Sequence, residues 1–108
     1  MTVRELMDQT GLQVVNLANP EAPIHGVYCG DLLSWVMAKA KTGNLWLTIM
    51  TNLNTLAVAS LCEVSCLILT EGVTVDAEFL KTAAMKEINV AKTAESTYEF
   101  AARLSGIL

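Results

Sequence analysis

Residues 43–72 read GNLWLTIMTNLNTLAVASLCEVSCLILTEG, and this stretch constrains the fold more than any other part of the chain. Two apolar runs, residues 45–50 and 66–69, bracket about a dozen residues of helical character, the build of a strand, helix, strand crossover between parallel strands. Each run ends in a small polar cluster: Thr51 and Asn52 after the first, Thr70, Glu71 and Gly72 after the second. Open α/β sheets usually bind ligands at the carboxyl ends of their strands, so these turns form the candidate site.

The 108 residues match one domain, and 53% apolar content supplies a core without disulfides or metal. Seven basic residues lie scattered in a chain of net charge -4, which argues against the basic footprint of nucleic-acid binding. The apolar runs are broken by Thr, Asn or Gly and fall short of the ~20 residues a membrane helix needs, so no membrane partner is expected. The first residues, MTVRELMDQTG, carry charge and lack the apolar centre of a signal peptide, which points to the cytoplasm. Three cysteines, all in apolar surroundings, fit buried reduced thiols better than a disulfide framework. A charged fraction of only 17% leaves apolar surface exposed, for which a symmetric dimer is the commonest use.

Thr2 and Glu5 have the spacing of a capping box, which opens a first helix reaching about Gln9 and stopping at Gly11. Residues 12–17 read as a short strand, and Pro20 and Pro23 mark the loop that follows. A second strand, residues 26–30, leads into a helix that Asp31 is placed to cap and Gly43 to end. Leu32, Leu33, Trp35, Val36, Met37 and Ala40 give this helix a broad apolar face, which predicts burial on two sides. Trp35 then sits either in the core or between the sheet and a partner subunit.

In the central unit Thr51, Asn52 and Asn54 stand beside the amino end of the next helix, whose amides attract anions and carbonyls. Asn52 or Thr51 could equally cap its own helix. The continuously apolar fourth strand, residues 66–70, suits a central parallel strand covered on both faces. Asp76 caps a helix with an apolar stripe of Phe79, Leu80, Ala83, Ala84 and Met85, residues 88–91 form a last strand, and Ser96 with Glu99 repeats the capping box. The order α, β, β, α, β, α, β, α, β, α predicts an α/β fold: a mostly parallel sheet of four to five strands with helices on both faces.

Catalytic and metal motifs do not assemble. His25 is the one histidine and has no nucleophile motif around it. His25 with Cys29 supplies too few ligands for zinc, and Cys62 and Cys66 straddle a helix end and a strand instead of forming a compact loop. Neither GxxxxGK[ST] nor GxGxxG is present, so no standard phosphate cradle and no cofactor are expected.

The run GVYCGDLLSWVMAKAKTGNLWLTIMTNLNTLAVASLCEVSCLILTEGVTVD resembles the DRTGG domain, especially its free-standing versions. That resemblance implies an α/β sandwich with a regulatory or architectural role, often at a homodimer interface. Such domains occur in the kinase of a phosphocarrier protein, in some phosphate acetyltransferases, and between CBS domains in regulated pyrophosphatases. The chain departs from the family pattern at two points: Asn44 and Leu45 stand where many members carry an acidic-basic pair, and Thr70-Glu71-Gly72 replaces Thr-Gly-Gly. Kinase activity is not implied, because catalysis in that relative resides in a separate P-loop domain and phosphoryl transfer needs a phosphate cradle, lysine and metal ligands together.

Two expectations result. One is a non-catalytic homodimeric regulatory module that senses a nucleotide or other anionic metabolite at Cys29, Gly30, Asp31, Thr51, Asn52, Asn54, Thr70, Glu71 and Gly72. The alternative is a protein-interaction or dimerisation module without a small-molecule ligand, acting on a partner such as a sensor kinase or a hydrogenase subunit.

Overall fold

A computed structural model describes residues 1–108, and its ten elements follow the order predicted from the sequence: α1 (Val3–Thr10), β1 (Gln13–Asn16), β2 (Val27–Cys29), α2 (Leu33–Lys39), β3 (Leu45–Thr48), α3 (Leu53–Cys62), β4 (Cys66–Leu69), α4 (Ala77–Met85), β5 (Val90–Lys92) and α5 (Thr97–Ser105). Both capping boxes form: Thr2 accepts from the Glu5 amide and Ser96 from the Glu99 amide, while each glutamate reaches back to its cap residue. Asp76 caps α4 through the Phe79 amide at 2.8 Å. Gly11, at φ +70, ends α1 in the left-handed conformation that glycine adopts without steric cost.

The five strands lie in the order β1-β5-β4-β3-β2. Strands β2 to β5 run parallel, and β1 joins β5 antiparallel, as the early strand-to-strand connection requires. Every residue of β3 and β4 is buried, which explains their unbroken apolar sequence. Leu45, Leu47 and Ile68 face Phe100 of α5 and Leu6 of α1. On the other face Trp46, Leu67 and Leu69 meet Val36 of α2, Leu56 of α3 and Phe79 of α4. Two helices therefore cover one side of the sheet and three the other. Each of these fully buried large side chains contributes about 1.5–3 kcal/mol relative to exposure.

Several boundaries and burials differ from the sequence reading. Asp31 does not cap α2; Leu32 holds that position without a side-chain bond, because the Asp31 carboxylate is engaged by β3. The helix stops at Lys39, well before Gly43, which instead turns the chain at φ +83. Its broad apolar face is not buried on two sides within the chain: Val36 is enclosed, whereas Trp35 is 59% and Leu32 61% exposed, and Met37 is exposed too. Leu80, Ala84 and Met85 of α4 also face solvent, leaving Phe79 and Ala83 to make the contact. The last strand begins at Val90, after Ile88 and Asn89 have turned into the sheet. Cys29 is exposed, against the expectation of three buried thiols; Cys62 is half-buried and Cys66 buried.

The two sheet edges are built differently. At the β1 edge the register slips between Val14 and Asn16, and the Asn16 side-chain Nδ2 donates to the Ile88 carbonyl at 2.8 Å. Asn89 reinforces this side: its oxygen accepts from the Ala18 and Asn19 amides, and its nitrogen donates to the Asn19 and Ser65 carbonyls. The β2 edge is three residues long. Gly26 accepts from the Leu45 amide at 3.0 Å and the Gly30 amide donates to Leu47 at 3.1 Å. By the alternation of a parallel ladder, Val27 and Cys29 turn their peptide groups outward. Three glutamates, Glu63, Glu71 and Glu87, hold positive φ of 55, 63 and 56°.

Candidate functional site

The carboxyl ends of β2, β3 and β4 lie side by side; seven of the nine residues singled out from the sequence fall in the turns that follow them, while Cys29 is the last residue of β2 and Asn54 lies in the first turn of α3. They do not form one constellation. Three separate groupings arise, each fixed by its own hydrogen bonds.

The first joins β2 to β3. An Asp31 oxygen accepts from the Thr48 hydroxyl at 2.8 Å and from the Ile49 amide at 3.0 Å. Gly30 is held from beneath, where the Trp46 indole nitrogen donates to its carbonyl at 2.9 Å. Cys29, Gly30 and Asp31 line a groove of about 490 Å³ with Tyr28, Leu32 and Trp35. Although Cys29 is exposed, partial desolvation by the groove pushes its thiol up from the ordinary value, and the neighbouring Asp31 charge adds to that.

The second grouping is the start of α3. The Asn52 oxygen accepts from the Thr55 amide at 3.1 Å, so Asn52 caps its own helix. Asn54 is exposed on the first turn and Thr51 is half-buried. None of these three lines a cavity.

The third grouping ties β4 to α5. The Thr70 and Thr97 hydroxyls lie 2.6 Å apart, and the Thr70 amide donates to Thr48 at 3.1 Å. Glu71 donates its amide to the Glu95 carbonyl at 2.8 Å and accepts from the Thr97 amide at 3.2 Å. Its carboxylate thus covers the positive end of α5, where an external anion would otherwise be attracted. Gly72, by contrast, opens onto a cleft of about 380 Å³ shared with Gly11, Gln13, Lys92, Thr93 and Ala94.

Sequence reasoning missed Lys92 and Gln13. Their closeness follows from the antiparallel register, which pairs Gln13 with Lys92 across β1 and β5. The signal was the early strand-to-strand connection, but ending the last strand at Ala91 left Lys92 out of it. Lys92 enters neither of the chain's two ion pairs, which join Arg4 to Glu21 and Arg103 to Glu95. A third hollow, about 180 Å³, opens at the opposite end of the sheet between Ser60, Glu63, Glu87 and Asn19.

The remaining titratable groups carry structural signatures. Burial raises the Cys62 thiol and pushes Cys66 up to about 12, so these sulfurs stay protonated at neutral pH. The backbone hydrogen bonds of Thr2 and Ser96 hold Glu5 and Glu99 below the usual carboxylate value. No three residues among His, Cys, Asp and Glu come together as metal ligands. No helix is long and apolar enough to cross a membrane.

Comparison with known proteins adds a family and a fold. The family model described as the DRTGG domain matches residues 33–107. Among solved structures, the CBS and DRTGG domains of the regulatory region of Clostridium perfringens pyrophosphatase, complexed with the activator diadenosine tetraphosphate, superpose with a TM-score of 0.74 at 20% sequence identity. The superposition covers 95% of this chain and 45% of that one. No curated protein matches.

Proposed function

The chain belongs to the DRTGG domain family, and from that premise we propose that it is a non-catalytic, cytoplasmic regulatory module. It acts as a homodimer and senses a nucleotide or other anionic metabolite along the carboxyl ends of its strands. The observation that carries this reading is the cleft beside Gly72, where the Lys92 ammonium stands free of ion pairing at the one end of the sheet that also gathers the polar turns. The ligand's charged end lies there, and the rest extends past Thr70 toward Thr51, Asn52 and Asn54, with Cys29, Gly30 and Asp31 at the far rim. Glu71 disfavours phosphate directly over α5, which directs the charge toward Lys92. The activator complex of the pyrophosphatase regulatory region supports a nucleotide as the ligand class.

The exposed Trp35 and Leu32 favour a second reading, a protein-interaction module without a small-molecule ligand, whose partner is a sensor kinase or hydrogenase subunit. A thermal-shift panel of nucleotides and phosphometabolites separates the two. A ligand at 100 times its dissociation constant adds about 2.7 kcal/mol to stability. Lys92→Glu removes that gain under the first reading, and a flat response across the panel favours the second.

A further inference from the structure

The β2 edge and the outer side of α2 form one continuous surface that nothing else in the chain covers. On α2, Leu33, Val36 and Ala40 turn inward, while the N-cap Leu32 with Trp35 and Lys39 recur three and four residues apart on the adjacent flank, about 100° round the helix, and Leu32 and Trp35 share a groove with Tyr28 and Cys29 of β2. The Lys39 ammonium lies 5.4 Å from the Trp35 ring centre, so its stem extends the apolar strip. Below them, Val27 and Cys29 present outward peptide groups on a strand with no bulge, proline or charge to discourage pairing.

This surface is self-complementary. A two-fold axis through the middle of β2 aligns the two strands antiparallel, and each outward peptide group of Val27 then meets that of the partner's Cys29. The same axis sets the two α2 helices antiparallel. Neighbouring strands lie about 4.8 Å apart, and a crossover helix sits roughly half a strand spacing inward, so the helix axes come about 10 Å apart, a normal packing distance. Trp35, near the helix midpoint, falls close to the axis, where each copy covers the other's ring. Charge agrees with this register: Asp31 precedes α2, Lys39 closes it and Lys41 follows its C-cap, so antiparallel helices bring opposite charges together at both ends. Size agrees too. A standard interface takes about 800 Å² from each partner, roughly one side of a block measuring 33 × 26 × 24 Å.

We propose that the occupant of this surface is a second copy of the chain, joined through β2 and α2 into a continuous ten-stranded sheet. The pairing rests on the homodimer reading above and gives it a surface. Light scattering after gel filtration at tens of micromolar tests it, with an expected mass twice the 11.6 kDa of one chain. Trp35→Lys, at an exposed position that the monomer fold does not need, raises the dissociation constant about 100-fold, as loss of a central aromatic anchor does. Oxidation of a Tyr28→Cys, Cys29→Ser variant links two chains, because residue 28 meets its own copy in a non-hydrogen-bonded pair with Cα atoms about 4.5 Å apart. A monomeric wild-type chain overturns the proposal, and so does a Trp35→Lys variant that remains dimeric and fails to cross-link at position 28. The ligand reading is judged separately by thermal shift on the same variant, which keeps Lys92 and its cleft.

Discussion

The two edges of the sheet teach different lessons about what a small domain leaves open. At β1 the edge is irregular and tied down: a register slip, the Asn16 side chain on the Ile88 carbonyl, and Asn89 joining three segments of chain. Such features discourage another strand from adding. At β2 the edge is short and regular, flanked by an exposed tryptophan, and its polar anchors point inward to β3 and the residues beside it: Thr48 and Ile49 donate to Asp31, Trp46 to the Gly30 carbonyl and Asn44 to the His25 carbonyl. One edge spends its polar groups on closing itself; the other spends them on fixing its own end and leaves the outside bare.

Substitutions can break this contrast, and the largest effect is expected at the closed edge. Asn89 is buried and makes four hydrogen bonds, so Asn89→Ala should cost on the order of 3 kcal/mol by stranding several partners. Urea unfolding measures it, and a loss below about 1 kcal/mol would mean that water replaces the asparagine. At the open edge, Trp46→Phe leaves the Gly30 carbonyl unpaired and a gap beneath it, with an expected loss of about 2 kcal/mol. Asp31→Ala should cost about 1 kcal/mol and loosen the Ile49 amide, read as faster hydrogen exchange there.

Glu71→Gly sharpens the comparison at the strand ends between the edges. It removes a left-handed glutamate, a gain of about 1 kcal/mol, and loses a hydrogen bond to Thr97 of similar size. Net stability should stay within about 1 kcal/mol, while the Thr97 amide resonance moves. The smallest effect concerns acid. Glu99 is held below the usual carboxylate value by the Ser96 backbone bond, so its contribution is present above that usual value and is lost as pH falls through the lower folded one. Far-ultraviolet dichroism should show α5 fraying on acidification, and Glu99→Gln should remove that pH dependence.

The element order was legible in the sequence because each signal was local. Capping boxes at Thr2 and Ser96, glycine at position 11 and the two unbroken runs around α3 need no distant partner to be read. What was not legible depended on where side chains found partners. Asp31 has the composition and place of a helix cap, yet Thr48 and Ile49, brought beside it by the parallel register, compete for its carboxylate. Trp35 looks like core by residue type, but α2 is the outermost helix of its layer and has no neighbour on that side. For the candidate site, the turns were found and the cleft was not, because Gln13 and Lys92 meet only through antiparallel pairing of segments far apart in sequence.

The glutamates at positive φ carry one more consequence. Glu63 and Glu87 lie just past the carboxyl ends of α3 and α4, where both the backbone conformation and the negative charge oppose helix stability. The fold therefore holds untapped thermal headroom at two positions remote from the strand-end clefts and the β2 edge. Glycine at both would raise the melting temperature by several degrees while leaving the grooves at the opposite end of the sheet as they are.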